Sequence, residues 1–307
     1  MSHQTQTSCP LNESKNFWKG SCLAARPRTL PVSFPPVIVG TTLAWTQVDH
    51  LNWLIVFSAL LSSLAIQIGT NLVNDALDFK KGADGMDRLG PKRMTQEGVL
   101  SFSQVLRGGG ICFAFALLFG IPLIVAAGWP LVCILLVSIA CGYLYTGGPF
   151  PLAYTGISDL FVLIFFGWIS TGTVYFLQTG NMTLACFIAA TQIGLLAIVP
   201  HAINNLRDHV CDARVNKRTL AVRFGVQFAR LEICSLSLIP FILGFAWLKE
   251  GNAGMTFFPF LALPPIVENL RAIYRTHPSS NYNQFLAKSA LCQLLFSSLL
   301  ALGILVG

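Results

Sequence analysis

Apolar residues fill this chain in long blocks broken by short polar connections, at about 30–48, 53–77, 105–127, 129–145, 157–178, 183–206, 227–248, 254–273 and 285–306. A hydrocarbon core about 30 Å thick takes about 20 apolar residues of helix to cross, and a helix satisfies its own backbone hydrogen bonds there. The pattern predicts an all-α integral membrane protein, a bundle of about nine transmembrane helices with short connections. The third and fourth blocks pair as a hairpin about Gly128, Trp129 and Pro130. Residues 1–29 are a polar N-terminal segment with no apolar stretch, which predicts no cleavable signal peptide. The first block then directs insertion, and residues 30–307 form a single transmembrane domain.

Two interruptions of the apolar pattern share a geometry. Asn71, Asn74, Asp75 and Asp78 close the second block at i, i+3, i+4 and i+7, one face of a helix. Asn205, Asp208 and Asp212 close the sixth at i, i+3 and i+7, with Asn204 and Arg207 beside them. Carboxylates at the ends of apolar spans are costly when ionised unless they are paired or bind a metal. Hard oxygen ligands with amide oxygens nearby suit Mg²⁺, which takes one or two carboxylates and keeps the rest of its shell for phosphate and water. Two such clusters predict a substrate rich in phosphate. Helix capping is the plainer reading of the aspartates, but capping does not require one-face spacing twice.

Composition and charge sharpen the class. Of 307 residues 54% are hydrophobic and only 11% charged, against about 25% charged in a soluble domain, and the mean hydropathy is +0.64. With the N-terminus in the cytoplasm, 19 of the 20 Lys and Arg fall on that side and only Lys249 falls outside, as the positive-inside rule demands. Both acidic stripes then end at the cytoplasmic face, in a multi-pass protein expected in a bacterial inner membrane. Lys80, Lys81, Arg88, Lys92, Arg93, Lys217 and Arg218 flank the stripes. These bases can be read as phosphate contacts or as obeying the orientation rule alone. The nine cysteines show no CxxC or His/Cys ligand spacing and read as small core residues, not as disulfides or metal ligands. Asp84 and Asp87 stay open between solvated loop residues and ligands. For Asp159 a helix N-terminus is sufficient explanation, and His201 reads as a satisfied interior histidine. The aromatic residues are mostly lipid-facing or core, with a few able to stabilise a carbocation through their ring faces. The expected surroundings are the lipid bilayer, with no nucleic-acid partner.

The polar stretches resemble those of the UbiA superfamily of intramembrane aromatic prenyltransferases, in particular the branch that prenylates 1,4-dihydroxy-2-naphthoate in menaquinone biosynthesis. The superfamily's first motif, NDxxDxxxD, is matched by Asn74, Asp75 and Asp78, with Gly82 in the last place. The naphthoate branch has that glycine followed by an aspartate, here Asp84, and continues as Asp87, Arg88, Gly90, Pro91 and Arg93 do here. The branch's middle segment is similar to Gly148, Pro149, Pro151, Tyr154, Gly156 and Asp159, running on to Phe165, Phe166 and Gly167. The second motif, NNxRDxxxDxxxGKxTLAVRxG, is matched by Asn204, Asn205, Arg207, Asp208, Asp212, Lys217, Thr219, Arg223 and Gly225. Asn216 replaces the glycine before the lysine, and asparagine is the next most tolerant residue in a left-handed turn.

The resemblance spans residues 24–306 and implies a Mg²⁺-dependent transfer of a polyprenyl group from its diphosphate to an aromatic acceptor. By motif position, Asp75, Asp78, Asp208 and Asp212 would be catalytic and, with Asp84, would hold the metal. Asn71, Asn74, Arg88, Arg93, Asn205 and Lys217 would bind the diphosphate. It also implies attack at the ring carbon bearing the carboxylate, so that loss of CO₂ restores the ring and no base is needed at that carbon. The rivals are superfamily members with another acceptor such as 4-hydroxybenzoate, a CDP-alcohol phosphotransferase and a divalent-cation transporter. The phosphotransferase motif is missing after Asp84 and Gly85. A transporter site belongs near the midplane at a helix break, whereas these acids gather at one face.

Overall fold

Local sequence sets where each helix starts and stops. The computed structural model describes residue 20 and residues 23–82, 88–91 and 93–306, and among these every regular element is helical. Asp84, Asp87 and Lys92 lie outside the described residues. The first apolar block is a 3₁₀ turn, Leu30–Ser33, leading into α1, Phe34–Trp45, with prolines confined to the opening turns where no donor is lost. In α2, Trp53–Lys80, the Asn52 side chain caps the start by accepting from Leu54 and Ile55 N–H groups. Just past its end Gly82 adopts φ +70°, the left-handed conformation that glycine takes without strain. A reciprocal Ser101–Gln104 capping box opens α3, Phe102–Ala127. Gly128 ends α3 at φ +72°, and Pro130 lies in the first turn of α4, Trp129–Leu144, which is the expected hairpin.

Beyond the hairpin come α5, Ser158–Thr179, and α6, Leu184–Arg214, then α7, Leu220–Gly244. The chain ends with α8, Leu263–Arg275, and α9, Tyr282–Val306. Six of these helices, α2, α3, α5, α6, α7 and α9, are long and apolar enough to cross a membrane, and α1 with its leading turn and α4 are shorter apolar helices. The structure departs from the expected boundaries in three places. The sixth block was expected to end near 206, but α6 continues to Arg214 and keeps the whole second stripe helical. The eighth block is not one helix: Ala253–Phe257, a 3₁₀ turn at Phe258–Ala262 and α8 follow one another, with Pro259, Pro264 and Pro265 at the junctions. Finally, α7 starts before the seventh block, at Leu220, and breaks at Gly225 with φ +82° and ψ 177°.

Burial identifies the central helix. In α6 72% of the most apolar window is buried, whereas in α3 the figure is 17%, so α6 is wrapped by protein and α3 faces lipid. Ile193, Leu196, Ile203 and Leu206 of α6 share one core with Ile233 of α7, Ile273 of α8 and Phe296 and Leu300 of α9. On the outside, Val125, Trp129, Leu184 and Val306 are each about two-thirds exposed or more, as a lipid-facing surface requires.

Helices in lipid gain little from burying apolar surface against each other and instead approach closely at small residues. α5 and α6 cross at Gly167 and Gly194, where a Cβ on Gly194 would come within 3.0 Å of the Gly167 Cα and 2.6 Å of a Leu163 methyl. Ser170 Oγ returns a hydrogen bond to the Phe165 carbonyl at 2.6 Å within the π-helical turn of α5, Leu163–Ile169, beside this crossing. Substituting Gly194→Val forces the two backbones apart and is expected to cost about 1–3 kcal/mol. The check is a lowered Tm for the detergent-solubilised protein, and an unchanged Tm would show that the crossing is loose.

Candidate active site

The two polar stripes meet in one cavity of about 390 Å³. Its polar end takes Asn71, Asn74 and Asp78 from α2 and Asn204, Asn205, Asp208 and Asp212 from α6, with Arg26, Arg88, Arg93 and Lys217 from the adjoining segments. At the other end the walls are Val37, Ala59, Leu123 and Leu131. Between Asp78 and Ala59 the wall follows α2 for about 28 Å at 1.5 Å per residue. The cavity therefore joins a charged mouth to an apolar channel about as long as a hydrocarbon core is thick.

The α2 stripe divides in two. Asn71, Asn74 and Asp78 face the cavity, while Asp75, on the edge of the same helical face, is buried against the following loop. Its carboxylate accepts from Met94 N at 3.2 Å, Thr95 N at 3.3 Å and the Thr95 hydroxyl. Asp78 Oδ2 accepts from Arg93 Nη2 at 2.8 Å, and its Oδ1 lies 3.5 Å from the Tyr154 hydroxyl. Asn74 Oδ1 accepts from Thr146 Oγ1 at 2.5 Å, and Asn71 Nδ2 donates to the Ala25 carbonyl at 3.0 Å.

The α6 stripe is organised by Arg207, which is only 1% exposed. Its guanidinium forks onto Asp208, with Nε to Oδ1 at 2.8 Å and Nη2 to Oδ2 at 2.6 Å. The remaining donors reach Asn204 Oδ1 at 2.8 Å and Asn283 Oδ1 of α9 at 2.5 Å. Asn283 in turn donates to the Leu89 carbonyl at 3.0 Å, so one arginine ties α6 to α9 and to the loop after α2. A turn further on, Asp212 Oδ1 meets Lys217 Nζ at 3.2 Å.

The connecting segments lock together over this mouth. Tyr154 lies with Lys81 Nζ 4.8 Å and Lys217 Nζ 5.9 Å from its ring centroid, cation–π distances that bring bases following the two stripes onto one ring. Arg218 N donates to the Tyr154 carbonyl at 3.1 Å, and Arg223 Nη2 to the Thr155 carbonyl at 2.7 Å. Gly156, at φ +80°, is where a Cβ would meet the Arg218 carbonyl at 2.8 Å. Asn216 has φ +56°, the left-handed turn anticipated for it. Burial lowers the pKa of Lys81, with Asp78 acting in the opposite sense.

Of the residues expected in the site, Asn71, Asn74, Asp78, Arg88, Arg93, Asn205, Asp208, Asp212 and Lys217 line the cavity. Asp75 holds the loop behind it, and Asp84 lies outside the described residues. Among the lining residues that went unrecognised as such in the sequence are Arg26, Tyr145, Thr146 and His201. Burial, and then the neighbouring Arg93 and Arg88, push the Arg26 pKa down to about 9, with Asp78 and Asp75 opposing. It stays charged at neutral pH, and crowding three guanidinium groups at one mouth favours an anion among them. The sequence signal was its place directly before the first span, where it had counted only toward orientation.

The oxygen donors suit Mg²⁺. Among the described residues no three His, Cys, Asp or Glu side chains converge as a closed metal cage. Mg²⁺ does not need one, because it binds through one or two carboxylates and fills its shell with phosphate and water. Asp212 Oδ2 is buried without a hydrogen-bond partner in the wall that it shares with Asp208, a lone pair left for a cation.

A model of the UbiA prenyltransferase family matches residues 33–299. The chain is 36% identical over 288 residues to the 1,4-dihydroxy-2-naphthoate octaprenyltransferase of Escherichia coli K12, covering 91% of this chain and 92% of that protein. To the protein of the same name from Haemophilus influenzae it is 31% identical over 306 residues, covering 97% and 98%. A solved structure of a UbiA homologue from Archaeoglobus fulgidus bound to GPP and Mg²⁺ superposes with a TM-score of 0.62 at 15% identity, over 94% of this chain and 100% of that one.

Removing the buried base should be more harmful than removing the pair. Arg207→Ala leaves Asp208 buried and uncompensated and is expected to destabilise the protein by about 3–5 kcal/mol. Adding Asp208→Asn removes the stranded charge and should recover part of that loss. Thermal unfolding of the two variants in detergent checks this, and equal Tm values would show that the pair is solvated.

Proposed function

The chain belongs to the UbiA prenyltransferase family, and on that premise we propose that it transfers a polyprenyl group from polyprenyl diphosphate to 1,4-dihydroxy-2-naphthoate. CO₂ and diphosphate are released, and the product is demethylmenaquinol, the naphthalenediol form of demethylmenaquinone. One observation carries the reading: a single cavity joins two amide- and carboxylate-bearing helix faces, with arginines and a lysine around them, to a long apolar channel. A diphosphate fits the first part and an isoprenoid tail the second. The naphthoate acceptor follows from the naphthoate prenyltransferases to which the chain is 31–36% identical over most of its length.

Arg26, Arg88, Arg93 and Lys217 meet the phosphate oxygens, and Asn71, Asn74 and Asn205 orient them. Arg93 and Lys217 are already paired with Asp78 and Asp212, so an arriving diphosphate competes for these bases and frees carboxylate oxygens. Those oxygens, of Asp78 and Asp212, would hold Mg²⁺ together with Asp208, which Arg207 keeps in place, and with Asp75 and Asp84 by their place in the motif. Bound there, Mg²⁺ supplies positive charge against the diphosphate as it leaves. The allylic cation forms where the cavity turns apolar, beside Tyr145, Phe161, Phe165 and Phe166, whose ring faces stabilise positive charge. The interlocked segments around Tyr154 exclude the water that would trap it. Residues 30–307 act as one domain in the inner membrane, with the charged mouth on the cytoplasmic side.

The test supplies membrane-reconstituted protein with Mg²⁺, a polyprenyl diphosphate and equimolar 1,4-dihydroxy-2-naphthoate and 4-hydroxybenzoate, and identifies products by mass spectrometry. A decarboxylated prenyl-naphthol that disappears with EDTA is expected, whereas prenylated hydroxybenzoate alone would overturn the acceptor. Asp208→Ala should lower turnover at least about 100-fold, the scale for losing one group that stabilises the charge of a transition state. Normal turnover would remove Asp208 from the chemistry.

A further inference from the structure

His201 continues the α6 stripe one turn deeper than Asn205, into the wall of the cavity. Four polar side chains reach its ring nitrogens. Nε2 lies 3.0 Å from Ser158 Oγ, 3.1 Å from Asn205 Nδ2 and 3.4 Å from Asp159 Oδ1. The Tyr145 hydroxyl, which also lines the cavity, is 3.2 Å from Nδ1 and 3.3 Å from Nε2. Behind the ring, Asp159 and Glu232 of α7 are close enough to interact, and Lys217 is the nearby basic group. Asp159 thus does more than favour a helix N-terminus, and His201 is not sealed in the interior.

His201, Tyr145, Asp159 and Glu232 are not needed to grip a diphosphate, yet burying Tyr, His, Asp and Glu together at membrane depth is costly. A carboxylate on one ring nitrogen fixes the histidine tautomer and leaves the other nitrogen as a proton acceptor. The Asp159 carboxylate, 3.4 Å from Nε2, favours a proton on that nitrogen by its charge without hydrogen-bonding to it, and leaves Nδ1 as the acceptor for the Tyr145 hydroxyl on the cavity side.

We propose that His201, oriented by Asp159, is the general base for the acceptor's ring hydroxyl, with Tyr145 passing the proton. The proposal rests on the dihydroxynaphthoate reading above. As the carbon bearing the carboxylate bonds to the allylic carbon and the C–O bond to diphosphate breaks, the adjacent hydroxyl gives its proton through Tyr145 to His201 Nδ1. Its oxygen keeps the electron pair as a new carbonyl. The product is a β-keto carboxylate, which loses CO₂, and the electron pair of the broken C–C bond becomes an enolate. The enolate oxygen takes the proton back from His201, restoring the naphthalenediol and the neutral imidazole. No oxidant is used, and the base works at oxygen, which agrees with the absence of any need for one at carbon.

His201→Asn and Tyr145→Phe test this in the reconstituted protein. Each should lower kcat at pH 7 by about 100-fold, the lower end for general-base catalysis. The prenyl diphosphate KM should stay within about 3-fold, and activity should recover as pH rises toward about 10, where a phenolic hydroxyl ionises unaided. A variant that binds the donor normally and turns over within about 3-fold of the parent overturns the proposal. So does a variant whose loss is the same at every pH, because that behaviour belongs to a structural histidine. Failure of the parent protein to make any prenyl-naphthol sinks the acceptor reading instead, so the two failures are distinguishable.

Discussion

A carboxylate that leaves water must find a partner, and most of this protein's polar architecture follows from that requirement. Asp78, Asp208 and Asp212 sit where two helices emerge from apolar surroundings, and each is matched by a base: Arg93, Arg207 and Lys217. Asp75 is matched by two backbone N–H groups and a hydroxyl. Arg207 is the neighbour of Asp208 in the chain, but Arg93, Thr95 and Lys217 come from the segments that follow the two helices, so satisfying those charges also folds the connections. The loop after α2 is drawn in by Asp75 and Asp78, and the segment after α6 is drawn back by Asp212.

Arg207 shows how one such pairing spreads. Because its guanidinium has five donors in a fixed fork, a single buried side chain can hold Asp208, Asn204 and Asn283 at once. Asn283 then fixes the Leu89 carbonyl. Two helices and a loop thereby share one hydrogen-bonded unit, and Gly90 has no side chain because that guanidinium occupies the space, 2.7 Å from where a Cβ would lie. A lysine, with one compact ammonium group, could not make the same set.

Sequence exposed what depends on periodicity and concealed what depends on direction. The one-face spacing of Asn205, Asp208 and Asp212 was enough to place them together, and Asn216 was legible as a turn residue from its tolerance of positive φ. The spacing of Asn71, Asn74, Asp75 and Asp78 was equally clear. Spacing does not say where a face ends, however, and Asp75 lies on its edge with a loop closer than the cavity. The role of Thr95 in holding it was invisible, because nothing local links residues 20 positions apart. Arg26, Tyr145 and His201 were missed for the complementary reason: each stands alone in its segment, and only the packing of α2, α4, α5 and α6 brings them to a common wall.

The same cavity explains why charge and apolar length must coexist in one site. A diphosphate needs cations and amide dipoles that water would otherwise compete for, whereas a long isoprenoid is stable only out of water. Placing the boundary between them inside the protein puts the bond to be broken at the edge of the aqueous phase, with Tyr145 and the phenylalanines of α5 just beyond it. Leaving-group charge then develops toward the bases and the cation toward the ring faces, so separation of the two charges follows the polarity already built into the walls. The small-residue crossing of α5 and α6 at Gly167 and Gly194 sustains this arrangement, since it holds the aromatic wall of one helix against the carboxylate-bearing face of the other. Widening that crossing would move the rings relative to Asp208 and Asp212 without touching either, which is why a packing contact between glycines belongs to the chemistry as well as to the fold.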